Sequence, residues 1–225
     1  MPTAHDLLKQ YFGYDSFRPG QDRLVQSILS CRDTLGIMPT GAGKSICYQV
    51  PALLLPGLTL VISPLISLMK DQVGALNEAG VPAACVNSAM SAESMRDVLG
   101  YAAQGGYKLL YVAPERLTAP AFLSFAQRVP VSMVTVDEAH CISQWGQDFR
   151  PSYLKILDFL AALPARPLVS AFTATATEAV RDDIVRALGL RDPFVLTTGF
   201  NRPNLYFAVE RPPSKPNALL RLLAA

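Results

Sequence analysis

The chain has 225 residues, half of them hydrophobic and 17% charged, with 18 prolines and a net charge of +2. This composition excludes a disordered chain, a coiled coil and collagen, and a chain of this length buries about 70% of the surface its unfolded form exposes, so it needs no disulfide or metal to fold. The near-balanced charge permits a nucleic-acid partner without arguing for one, and the length suggests one large domain or one and a half.

The first twelve residues, MPTAHDLLKQYF, lack the basic-then-apolar pattern of a signal sequence. Asp33 to Met38 predicts a short buried strand, followed by a glycine-rich turn and a helix from Lys44 to Leu54. Leu58 to Ser63 is a continuous apolar run, the mark of a strand covered on both faces. Leu65 to Ala79 predicts a helix closed by Gly80. The uncharged stretch Ser45 to Met69 is cut by Pro51, Pro56, Gly57 and Pro64 into pieces shorter than the about 20 apolar residues of a membrane span, so it reads as core. Ala83 to Val86 is a weaker strand, and Ser91 caps a helix running to Tyr101. Lys108 to Val112, Val131 to Val136 and Leu168 to Phe172 are further strands. Thr177 to Leu188 is a helix ended by Gly189, and Phe194 to Thr197 is a last strand. Gly199 to Pro216, with Pro203, Pro212, Pro213 and Pro216, reads as a linker, and Asn217 to Ala225 as the start of another helix.

Strands alternating with helices predict an α/β fold: a parallel sheet with helices on both faces and right-handed crossovers. Ligands then bind at the carboxyl ends of the strands. Cys31, Cys47, Cys85 and Cys141 are scattered with no Cys-x-x-Cys pair, so they are expected to be reduced, buried small hydrophobes, and no zinc is expected.

Thr40-Gly41-Ala42-Gly43-Lys44-Ser45 lies between a strand and a helix. Its glycines turn backbone N–H groups around an anion, and the helix N-terminus adds positive potential. Lys44 is placed to reach the β- and γ-phosphates and Ser45 to hold Mg²⁺. Met38 stands where the general phosphate loop carries its first glycine, so the strict pattern fails there. Asp137 and Glu138 emerge at the carboxyl end of a buried strand. Asp137 suits Mg²⁺, and Glu138 suits a general base acting on water. The two motifs define a phosphate-loop nucleotide hydrolase without saying what the hydrolysis drives.

Further segments narrow it. Phe17-Arg18-Pro19-Gly20-Gln21, the run Ser63 to Gln72, Ala113-Pro114-Glu115-Arg116-Leu117, Asp137-Glu138-Ala139-His140 and Thr173-Ala174-Thr175-Ala176 fall in the order that resembles a superfamily 2 helicase. The aromatic loop Cys141 to Pro151, with Phe12-Gly13-Tyr14 and Asn201-Arg202-Pro203-Asn204, is similar to the RecQ family of DNA helicases.

The resemblance, from Leu7 to Val209, implies a RecA-like ATP-binding lobe over residues 1–208. Residues 209–225 would then be a linker and the start of a second RecA-like lobe. It implies ATP and Mg²⁺ as cofactors, DNA as partner, and a bacterial, cytoplasmic, nucleoid-associated protein of DNA repair or recombination. Tyr14 and Arg18 would sandwich the adenine, while Gln21 reads its edge. Trp145 and Phe149, with Arg150, would contact DNA, the two rings by stacking on single-stranded bases. Ser63, Pro64, Ser67 and Arg116 would touch its backbone. His140, Gln147, Thr173 and Thr175 would couple the DNA and nucleotide sites. The family's usual residue at 147 is histidine, and glutamine brings neither its proton nor its ring. The missing second lobe would supply the arginine finger, so the chain alone is expected to turn ATP over slowly or not at all. Two other readings stay open: a module that binds nucleotide or single-stranded DNA without unwinding, and an RNA helicase, against which the Gln144-Trp145-Gly146 loop argues.

Overall fold

The computed structural model describes residues 2–146, 148–199 and 208–224. Two helices precede the first strand, and the strand–helix alternation predicts neither. The first, α1 (Ala4–Phe12), starts at a reciprocal cap in which the Asp6 N–H donates to Thr3 Oγ1 and the Thr3 N–H to Asp6 Oδ2. It buries Leu7 and Leu8. The second, α2 (Gln21–Leu29), buries Leu24, Val25 and Ile28.

The strands form one parallel sheet: β1 (Thr34–Ile37), β2 (Leu58–Ile62), β3 (Ala83–Val86), β4 (Leu109–Val112), β5 (Val131–Val136), β6 (Leu168–Thr173) and β7 (Phe194–Thr197). Their order is β3-β4-β2-β5-β6-β1-β7, with every neighbouring pair parallel. The remaining helices are α3 (Ile46–Leu54), α4 (Ile66–Glu78), α5 (Ala92–Ala103), α6 (Pro120–Ala126), α7 (Ile156–Ala162), α8 (Glu178–Ala187) and α9 (Lys215–Leu223).

Alternate strand residues feed two cores, as the period of a strand requires. On one face Leu60, Leu110 and Val134 meet Leu99, Phe122, Ile156 and Ile184 from α5, α6, α7 and α8. On the other Val61, Tyr111 and Met133 meet Leu24, Tyr48, Met69 and Leu76 from α2, α3 and α4. The central strands are buried on both faces, which explains their unbroken apolar sequences.

Two expectations need correction. Only Cys47 and Cys141 are buried. Cys85 is half-buried, and Cys31 is exposed where the chain leaves α2 in a left-handed turn. The last helix starts at Lys215, because proline is tolerated in a helix's first turn and Pro216 does not delay it. Asn201–Asn204, part of the RecQ resemblance, lie outside the described residues.

Strand order sets out the functional segments. Along the carboxyl edge, β4 leads toward Arg116, β2 into Ser63, β5 into Asp137 and β1 into the phosphate loop, while β6 ends at Thr173. At about 4.8 Å per strand this row spans about 19 Å. The ladder continues one bond past the strands, with Asp137 N–H on the Ile62 carbonyl at 2.8 Å and Met38 N–H on the Thr173 carbonyl at 3.0 Å. Each motif therefore starts from a fixed point.

Candidate functional site

The phosphate loop leaves β1 at Met38, whose side chain is buried and lies 3.8 Å from Cys47 Sγ. Met38 thus extends the strand into the core, and no glycine is needed there. Gly41 and Gly43 are left-handed, at φ 83° and 78°. At Gly43 a Cβ would also stand 2.5 Å from Gln21 Nε2, so a side chain there would displace the amide that holds the loop. The Lys44 ammonium rests 3.4 Å from the Met38 carbonyl, inside the turn of the loop.

Tyr14, Arg18, Gln21, Thr40, Gly41, Gly43, Lys44, Ser45, Asp137 and Glu138 line one cavity of about 440 Å³. Ala42 is half-buried beside it. Gln21 is buried and holds the loop: its Nε2 donates to the Ala42 and Gly43 carbonyls at 3.1 Å, and its Oε1 accepts the Arg18 N–H at 2.8 Å. The Arg18 guanidinium donates to the Gly41 carbonyl at 2.6 Å and stands 6.0 Å from the Tyr14 ring centroid. A base stacked between two groups at about 3.5 Å from each needs about 7 Å, so this pair must open by roughly an ångström.

Asp137 is 7% exposed. Its carboxylate accepts one N–H, from Glu138 at 3.0 Å. Burial, then the Glu138 charge, push its carboxyl up to about 6. Glu138 is left-handed, at φ 47°. Its carboxyl is held below the usual range, first by the His140 ring 3.2 Å away. His140 is raised in turn, through the Cys141 sulfur and then Glu138. His140 Nδ1 also lies 2.8 Å from Thr173 Oγ1, and that hydroxyl is 3.2 Å from the Thr175 carbonyl. A continuous contact therefore joins the carboxylates to the end of β6. Gln147 lies outside the described residues.

The candidate DNA residues divide into exposed and committed groups. Ser67 is exposed in the first turn of α4, and Trp145 is 80% exposed. A core role for the tryptophan is thereby removed. Phe149 and Pro64 are half-buried. The Ser63 hydroxyl is buried with no hydrogen-bond partner among the described residues. Arg116 Nε donates to the Asn87 carbonyl at 3.2 Å. Arg150 is gripped by Asp148, at 2.9 and 3.1 Å, and donates to the Pro64 carbonyl at 3.1 Å. It ties the aromatic loop to the segment after β2.

Several partners escape the sequence reading. Tyr153 donates to the Asp137 carbonyl at 2.9 Å, and Ser143 meets Asp183 from α8 at 2.8 Å. Only the fold joins residues so far apart in the chain. Gln72 also lines the nucleotide cavity, and its place at the end of the Ser63–Gln72 segment was the available signal.

This geometry is that of a phosphate-loop nucleotide hydrolase lobe. The sequence profile of the DEAD/DEAH box helicase family matches residues 18–183. The chain is 51% identical over 213 residues to the ATP-dependent DNA helicase RecQ of Bacillus subtilis, covering 94% of this chain and 36% of that protein. It is 42% identical over 215 residues to the mouse bifunctional 3'-5' exonuclease/ATP-dependent helicase WRN, covering 93% of this chain and 15% of that one. The chain therefore belongs to the DEAD/DEAH box helicase family, and the bacterial relatives it resembles include RecQ helicases. It spans about a third of the length of three bacterial RecQ proteins that it matches. The fold is shared with the DUF1998 helicase MrfA bound to DNA, at a TM-score of 0.69 and 16% identity over 88% of this chain and 30% of that one. It is shared too with the Hef helicase domain of Pyrococcus furiosus, at 0.62 and 19% over 83% and 39%.

Proposed function

We propose that this chain is the ATP-binding lobe of a DNA helicase that couples ATP hydrolysis to strand separation with a second RecA-like lobe. One observation carries the reading: Lys44, Asp137 and Glu138 face a single cavity, and one contact path runs from Glu138 through His140 to Thr173. Backbone N–H groups of Thr40 to Gly43 and the N-terminus of α3 receive the phosphates. Lys44 leaves the Met38 carbonyl for them. Tyr14 and Arg18 take the adenine face. Gln21 holds the loop, and its amide must exchange those bonds to read the adenine edge.

The donors suit Mg²⁺. Asp137 is a buried carboxylate short of positive partners, Ser45 adds a hydroxyl, and magnesium keeps waters while binding through few protein oxygens. Bound there, it would neutralise charge on the phosphates. Glu138 orients the attacking water and draws its proton. Ser67 and Trp145, with the half-buried Pro64 and Phe149, offer DNA a surface, and the ties made by Arg116 and Arg150 hold it in shape. The exposed leucines of α9, Leu219, Leu220, Leu222 and Leu223, support a second lobe as partner. Action on DNA in a bacterial cytoplasm belongs to the same reading.

The test is ATP–Mg²⁺ binding by the chain, followed with a fluorescent analogue. Lys44→Ala should lower affinity at least tenfold, about 1.4 kcal/mol, without changing the unfolding midpoint. Retained affinity removes the phosphate-loop assignment. Single-stranded DNA at low salt should shift Trp145 fluorescence, and an equal response to RNA would remove the preference for DNA.

A further inference from the structure

The aromatic loop leaves the sheet edge through Ser143, which is 1% exposed. The Ser143 hydroxyl lies 2.8 Å from Asp183 Oδ2 and 3.2 Å from the backbone nitrogen of Trp145. Chemistry fixes both directions. An amide N–H only donates and a carboxylate only accepts, so Ser143 gives its hydrogen to Asp183 and a lone pair to Trp145. Each bond polarises the other.

Trp145 itself is 80% exposed. Gly146 follows, its N–H on the Ser143 carbonyl at 3.0 Å and its α-carbon pressed too closely on the His140 carbonyl to admit a Cβ. The turn that presents the indole is therefore built on the Ser143 side chain and backbone. Asp183 also pairs with Arg186, but that arginine is 76% exposed and such pairs contribute little.

We infer that Asp183 is a positioning residue for DNA capture by the aromatic loop. It fixes the Ser143 hydroxyl hydrogen, leaves the lone pair on the Trp145 amide, and so sets where the indole stands. It touches no DNA itself. The loop is thereby joined twice to the β6–α8 segment, through His140 to Thr173 and through Ser143 to Asp183. The role in DNA capture rests on the proposed stacking of Trp145 on bases, while the anchor itself does not.

Trp145 is the only tryptophan, so its anisotropy and its quenching by acrylamide read the loop without a label. Ser143→Ala and Asp183→Ala should each lower the anisotropy and raise the quenching in the free protein. The double variant should go no further. Asp183→Asn, which keeps an acceptor oxygen, should retain the unsubstituted values. Affinity for a thymidine oligonucleotide should fall about fivefold in the two alanine variants, the low end of what one base–aromatic stack is worth. Circular dichroism checks that each variant is folded. Unchanged anisotropy in both alanine variants overturns the inference, as does an Asp183→Ala defect that Asp183→Asn shares. If Asp183→Ala does not fold, Ser143→Ala and Asp183→Asn decide. If Trp145 in the unsubstituted chain ignores the oligonucleotide, the DNA reading fails, and the free-protein anisotropy still judges the anchor.

Discussion

Two buried aspartates stand at opposite ends of the same sheet and are treated in opposite ways. Asp33, 4% exposed, sits at the amino end of β1. Its carboxylate takes two bonds from Arg166, at 2.5 and 3.2 Å, and the N–H groups of Val169 and Arg191, at 3.0 and 2.7 Å. Its carbonyl accepts the Phe194 N–H at 2.7 Å. One residue thus clips β1, β6 and β7 together. Asp137, at the carboxyl end of β5, has one N–H and a neighbouring carboxylate instead. Burial is alike, but the charge is paired with an arginine at one end and left beside a second carboxylate at the other. The amino end stabilises the sheet, and the carboxyl end gives up stability, as the proposed cation site requires.

Asp33→Ala tests the first half and should have the largest effect. It leaves Arg166 partly buried without its anion and two N–H groups without an acceptor. A loss of about 3 to 5 kcal/mol is expected in urea unfolding. A loss below about 1 kcal/mol would mean the clip is ornamental.

Asp137→Asn tests the second half with the opposite sign. The folded carboxyl keeps its proton up to about pH 6, whereas an unperturbed one releases it near 3.8. Between those values the folded state binds more protons than the unfolded one, so metal-free stability falls as pH rises through that window and stays low above it. The asparagine should abolish that fall and stabilise the metal-free chain at pH 7 by on the order of 2 kcal/mol. It should also remove any stabilisation by Mg²⁺ and nucleotide. Thermal melts in chelator from pH 4 to 8 measure both, and a variant less stable at pH 7 contradicts the comparison.

Tyr153→Phe is the smallest perturbation and a control. Its hydroxyl serves the Asp137 carbonyl, not the carboxylate. Its loss should cost about 1 kcal/mol. That loss should be equal across the same pH range, and a pH-dependent one would place Tyr153 in the titration.

The sequence carries the strands and the residues of the candidate site more fully than the contacts that hold them. Continuous apolar runs such as Leu58 to Ile62 and Val131 to Val136 mark central strands, because a strand covered on both faces has no reason to alternate. The phosphate loop and the Asp137–Glu138 pair are legible because their chemistry demands fixed local spacing. Short helices are harder: α6 and α7 span two turns, too few for periodicity to register, and the cap of α1 uses Asp6 where Glu or Gln is usual. Contacts across the fold are silent in sequence. Nothing near Asp33 announces Arg166, and nothing near Ser143 announces Asp183. Nor does spacing reveal that Arg150 and Gln21 are occupied by protein partners.

The place of β1 in the sheet bears on how the chain is made. β1 comes first in sequence among the seven strands of the sheet, yet its neighbours are β6 and β7, with Thr34 beside Ser170 and Phe194. At about 5 to 20 residues per second, the ribosome takes roughly ten seconds or more to supply them. Throughout that interval both hydrogen-bonding edges of β1 lack their native partners, and the phosphate loop has no platform. Pairings this distant along a chain form slowly. The proposed nucleotide pocket, whose loop follows β1, is thus among the last parts to mature. On that proposal, a growing chain gains no help from ATP until nearly all of the sheet exists.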